Sequence, residues 1–137
     1  MDLTLTHCFI TVRDLDEALT FYRDMLGLEV RTDVHIGDFR WLTVATKGSP
    51  VEITLETPDG RSGNPETIAA VIADGGIPAV ILGTRDCDAA FALLRASGSR
   101  IIQEPTDQPY GVRDCAVRDP SGNMVRIAQP LSSLHGP

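Results

Sequence analysis

The chain has 137 residues, and 19 acidic against 12 basic side chains give a formal net charge of −7. That length suits one domain able to bury roughly two thirds of its unfolded surface, and an acidic chain without a basic stripe argues against nucleic acid as a partner. No apolar run approaches the about 18 residues needed to cross a bilayer, and three scattered cysteines with neither a CxxC pair nor a signal peptide read as reduced thiols in a cytoplasmic protein.

Residues 7–12 alternate, with Cys8, Ile10 and Val12 on one face and His7, Phe9 and Thr11 on the other, which predicts a strand whose two faces meet different surroundings. Asp14 with Glu17 three residues on is the capping-box arrangement, so a helix is predicted from about Leu15, with Leu15, Ala18, Leu19, Tyr22 and Leu26 as its apolar stripe. Gly27 stops it, because the position after a helix usually needs positive φ. Leu28 to Val30 opens a second strand, and Asp38 to Thr46 reads as a third from its Val, Thr and aromatic content. After the turn Lys47-Gly48-Ser49-Pro50, the stretch VEITLE forms a fourth, with Val51, Ile53 and Leu55 on one face and Glu52, Thr54 and Glu56 on the other.

The Gly-, Pro- and Asn-rich stretch 57–65 reads as a linker between two halves, followed by a short helix capped by Asn64, begun by Pro65 and closed by Gly75-Gly76. The same grammar then repeats. A strand is predicted over Ile77 to Leu82, and Asp86 caps a helix with Cys87, Ala90, Phe91 and Leu94 inward and Gly98 at its end. Strands follow over Arg100 to Gln103 and Val112 to Val117, then DPSGN turns into MVRIAQ. A shift of 72 residues carries the first helix pattern onto the second, and a shift of 74 carries Gly48 onto Gly122 and Val51-Glu52-Ile53 onto Val125-Arg126-Ile127. The organisation is a first βαβββ module over about 1–57, a linker with a short helix over about 58–76, a second module over about 77–131 and a tail over 132–137.

The stretch HCFITVRDLDEALTFYRDMLGLEV resembles the opening module of the vicinal oxygen chelate superfamily, and RDPSGNMVRI the end of its second. That superfamily includes glyoxalase I, extradiol dioxygenases, fosfomycin-resistance enzymes and bleomycin-resistance proteins. The resemblance implies an α+β fold of two βαβββ modules, curved mixed sheets around a shared cavity with helices outside, and a homodimer. Its enzymes hold a divalent metal with a His on the first strand of each module and a carboxylate on the last, chemistry suited to substrates that chelate through adjacent oxygens. His7 and Glu52 match the two ligands of the first module. The shifts place Ala79 and Arg126 where the other two belong.

With two of four ligands replaced, one by a cation, the expectation is no metal and no cofactor, with Arg126 pairing with Glu52 in the bidentate geometry that arginine favours. The candidate ligand-binding residues are His7, Trp41, Glu52, Tyr110, Asp114 and Arg126. Trp41 shares strand parity with Thr43 and Ala45 and either stacks on a ligand or fills core. Tyr110 either covers a ligand or is a turn tyrosine, and Asp114 and Arg118 either line the site or face solvent. Glu56 is a further carboxylate about 13 Å along from Glu52. The three cysteines fall at packing positions, where thiols are inert. Nucleophile-elbow, Walker-loop, dinucleotide-binding and zinc-type cysteine patterns are all missing from the sequence. A metal-free, sequestering small-molecule binder of the resistance type is the first expectation. The alternative is a metal-dependent lyase, isomerase or dioxygenase using His7 and Glu52.

Overall fold

The computed structural model describes residues 1–2, 4–57 and 78–131, without the side chains of Ile36 and Pro78. The predicted short helix after Asn64, its Gly75-Gly76 stop and the tail lie outside the described residues. The chain divides into two compact units, within Met1–Ile72 and Ala73–Pro137. Among the described residues no helix is long and apolar enough to cross a membrane.

The first unit contains β1 (His7–Thr11), helix α1 starting at Leu15, then β2 (Glu29–Ile36), β3 (Phe39–Ala45) and β4 (Glu52–Glu56). Its sheet runs β1-β4-β3-β2, with β1 and β4 parallel and the remaining pairs antiparallel. Asp14 caps α1 as the spacing predicts, its Oδ1 accepting from the Glu17 N–H at 2.8 Å. The box is half closed, since the Glu17 carboxylate takes the Arg13 guanidinium at 2.7 and 2.9 Å.

The helix is α-helical only over Leu15–Leu19 and widens to π geometry over Thr20–Met25, with the Leu26 N–H reaching the Phe21 carbonyl at 2.9 Å. The wider turn lets the neighbours Phe21 and Tyr22 both point inward, edge to face at 5.0 Å and fully buried. An unbroken 3.6-residue period assigns that role to Tyr22 and Leu26, and Leu26 is only half-buried. Gly27, at φ +77°, ends the helix as expected. Ile10, Val12, Leu42, Val44 and Leu55 complete the core on the helix side, with Leu42 opposite Leu55 across β3 and β4.

The second unit repeats this order with β5 (Pro78–Gly83), α2 (Cys87–Ala96), β6 (Arg100–Asp107), β7 (Val112–Arg118) and β8 (Met124–Pro130). Its sheet runs β5-β8-β7-β6, the same topology with the same parallel pair, so the fold is the α+β pair of mixed sheets expected. Asp86 caps α2 through the Ala89 N–H at 3.0 Å, and Gly98 closes it at φ +81°. Cys87, Phe91, Leu94, Cys115, Val117, Val125 and Ile127 form its core. Burial, with the contact between Cys87 and Cys115, pushes the Cys115 thiol up to about 12, as expected for inert packing cysteines. Cys8 departs from that expectation. It is exposed, because the helix-side core begins two residues on at Ile10.

Candidate functional site

In the first unit, the sheet face opposite the helix gathers the predicted residues. Parallel pairing sets His7 directly opposite Glu52, and their Nε2 and Oε2 lie 4.0 Å apart, an ion pair only when the imidazole is protonated. His7 Nδ1 lies 3.1 Å from Thr6 Oγ1, which leaves Nε2 for the side of Glu52. Thr43, fully buried on β3, donates its hydroxyl to Glu52 Oε1 at 2.6 Å, a charge-assisted bond that fixes the carboxylate. Trp41 lies on this face, as its parity predicts, half-buried with its ring 5.9 Å from that of His7 and 6.3 Å from that of Phe39. Phe9 is 57% exposed beside them.

The second unit gathers Asp114, Arg126 and Tyr110 on the equivalent face. Asp114 is 1% exposed, so it neither faces solvent nor stands alone. Its Oδ1 accepts from Gln103 Nε2 at 2.9 Å and Gln108 Nε2 at 3.0 Å, and its Oδ2 accepts from Arg126 Nη1 at 3.1 Å and, more loosely, from the Tyr110 hydroxyl at 3.4 Å. Burial alone would raise this carboxyl's pKa, but the bonds from Gln108, Gln103 and Arg126 together outweigh it and hold the group below the ordinary carboxylate value. Arg126 Nη1 also donates to Gln103 Oε1 at 3.0 Å, and its Nη2 approaches Met124 Sδ at 3.8 Å.

Within the second unit the carboxylate that holds Arg126 is Asp114. Asp114 stands opposite Ala128 on the adjacent strand, one diagonal step from Arg126 and on the same face, within easy reach of an arginine. One expectation is corrected: the residue opposite Arg126, where His7 stands opposite Glu52, is Ile81 rather than Ala79. The strand β5 lies two residues nearer its helix cap, Asp86, than β1 lies to Asp14, so the 74-residue shift of the last strands, not the 72-residue shift of the helices, relates the first strands. Arg118, offered as a possible site residue, donates to the Gly122 carbonyl at 2.9 Å and holds the β7–β8 turn.

Thr43, Gln103 and Gln108 join these clusters without a sequence signal of their own: strand parity puts Thr43 on the face but not its bond to Glu52, and Gln103 sits where the β6–β7 register shifts on either side, so alternation does not place it. Among the described residues, no three His, Cys, Asp or Glu side chains converge as a metal-holding group.

The sequence model described as "Glyoxalase/Bleomycin resistance protein/Dioxygenase superfamily" matches residues 4–127, and the chain belongs to this superfamily. Within it, the solved structure of UcmS2 superposes with a TM-score of 0.83 at 37% identity, covering 93% of this chain and 98% of the other. TnmS3, described as an antibiotic binding protein from Streptomyces sp. CB03234, gives a TM-score of 0.76 at 27% identity, with coverage of 94% and 97%. A probable lactoylglutathione lyase of Synechocystis sp. (strain ATCC 27184 / PCC 6803 / Kazusa) is 28% identical over 137 residues, spanning 93% of this chain and 96% of the other.

Proposed function

We propose that this protein binds and sequesters a small molecule in the manner of the resistance proteins of its superfamily, as a metal-free cytoplasmic homodimer. The observation that carries the reading is the engagement of Arg126. A guanidinium stands at the register position of the second carboxylate, and Asp114 and Gln103 hold it there. A cation so fixed neither coordinates a metal nor swings aside cheaply, since releasing it would leave a buried carboxylate unpaired. Neither Ala79 nor Ile81 has a donor atom for the remaining position. The residues present therefore do not fit a four-ligand metal centre, and one imidazole with one carboxylate is a weak hold by itself.

His7, Trp41, Glu52 and Thr43 then serve recognition on the first unit, and Asp114, Arg126 and Tyr110 on the second. The likeness to TnmS3 supports binding as the function. A second reading has its own support in the His7–Glu52 pairing and the likeness to a lyase. In it, Glu52 removes a proton beside a carbonyl, with His7 and Glu52 as the chain's own metal donors.

Metal content of the purified, untagged protein, followed by calorimetric titration of the stripped protein with Ni, Zn, Mn and Fe(II), separates the two. The binding reading expects no stoichiometric metal, and a thermal-shift screen of antibiotics in which hits persist in chelator. Submicromolar metal affinity lost in His7→Ala would overturn it.

A further inference from the structure

On the face carrying His7 and Glu52, one group has no local explanation. Thr54 is 1% exposed, its hydroxyl is buried, and no protein atom among the described residues bonds it. An unpaired buried hydroxyl is costly, and valine offers the same shape on a β-strand without that cost. Its surroundings say what would satisfy it. Thr54 stands opposite Thr43 on β3, beside Phe9 on β1, and two residues along the same face from Glu52. Thr43 has committed its proton to Glu52 Oε1 and keeps only lone pairs to offer. Glu52 Oε2, 4.0 Å from His7 Nε2, is beyond hydrogen-bond distance from it and keeps accepting capacity. Acceptors therefore crowd the face around one uncommitted hydroxyl.

We infer that Thr54, with Thr43 and Glu52, forms a subsite that recognises an O–H or N–H donor group of the bound small molecule. Phe9, more than half exposed and level with Thr54, is the side chain that yields to admit it. This assignment rests on the small-molecule-binding reading and adds the chemical class of the group recognised. It makes Thr54 and Thr43 specificity-determining residues.

The test uses two neutral probes that differ in the donor, benzyl alcohol and benzyl methyl ether. Binding is followed by fluorescence of Trp41, the single tryptophan. The wild-type chain should prefer the alcohol over the ether by about fivefold or more, the worth of one hydrogen bond. Thr54→Val should shrink that preference to less than about twofold while raising the melting temperature of the ligand-free protein. Thr54→Ser should keep the preference.

A preference unchanged in Thr54→Val overturns the subsite. So does a lower melting temperature for that variant, because the hydroxyl would then already be satisfied in a structural role. Silent probes, with an antibiotic from the screen whose affinity Thr54→Val leaves unaltered, reject the subsite and keep the binding function. Silent probes and an empty screen reject both.

Discussion

In the first unit β4 lies between β1 and β3 and carries Glu52 opposite His7; in the second, β8 lies between β5 and β7 and carries Arg126 opposite Ile81. The two positions share one neighbour in geometric terms. Thr43 reaches Glu52, and Asp114 reaches Arg126, along the same diagonal of the antiparallel pair. The side chains differ in what they leave over. Asp114 neutralises Arg126 within its own sheet, whereas Thr43 orients Glu52 without cancelling its charge. One scaffold used twice thus yields a closed polar cluster in one unit and an anionic, aromatic-flanked face in the other. On the proposed reading the open face brings an uncancelled charge to ligand recognition, while the closed one brings groups already paired and also stabilises its sheet.

The largest effect comes from forcing the second face to carry the first face's charge. Arg126→Glu sets a carboxylate against buried Asp114 and should cost about 3 kcal/mol or more in urea denaturation, the scale of breaking a buried pair. Adding Asp114→Thr, which copies the Thr43–Glu52 diagonal, should recover at least half of that loss. Simple additivity of the two changes would show that the diagonals are not equivalent. Asp114→Asn alone should cost about 2 kcal/mol, because Arg126 is only 20% exposed and loses its counter-ion.

The same carboxylate sets an acid limit. Its folded pKa lies below the ordinary 3.8, so its contribution is complete above that value and disappears as pH falls through the depressed one. The stability gap between wild type and Asp114→Asn should therefore hold at neutral pH and begin to narrow as pH falls below the ordinary 3.8. A gap that does not narrow at any acid pH at which the protein stays folded would mean that the loss is steric.

How much of this could be read from the chain depends on how local the physics is. Helix starts are local: Asp14 and Asp86 each lie three residues from the N–H they cap, and both were legible. Parity along one strand is also local, and it put Trp41 with His7 and Glu52. Register is not. The link from β5 to its helix cap is two residues shorter than the link from β1, and that difference decides whether Ala79 or Ile81 stands opposite Arg126. The pairing of Asp114 with Arg126 likewise turns on a diagonal between strands. The π turn hid in plain view, because a 3.6-residue period has no place for two adjacent inward aromatics such as Phe21 and Tyr22.

The two caps offer a smaller test of how alike the units are. Asp14→Ala and Asp86→Ala each delete one side-chain acceptor from a helix N-terminus and should cost about 1 kcal/mol apiece. Each first turn also holds a carboxylate against an arginine, Glu17 by Arg13 and Asp88 by Arg113, so the two losses should agree to within a few tenths of a kcal/mol. A clear inequality would mean that the local Arg13–Glu17 pair and the longer-range Arg113–Asp88 pair support their helix starts differently.

The cysteines give the smallest effect and the sharpest contrast between units. Cys8, on the first strand of the first unit, is exposed, while Cys87 and Cys115 are buried between helix and sheet in the second. Burial raises the pKa of both buried thiols, that of Cys115 to about 12, which keeps them protonated as well as inaccessible. A thiol reagent at neutral pH should therefore titrate one group in the native protein and three after denaturation. Cys8→Ser should remove the native reaction with no measurable change in melting temperature. A slow second native reaction at Cys87 or Cys115 would instead report local opening of α2 from its sheet, and its rate would measure how firmly that helix is held.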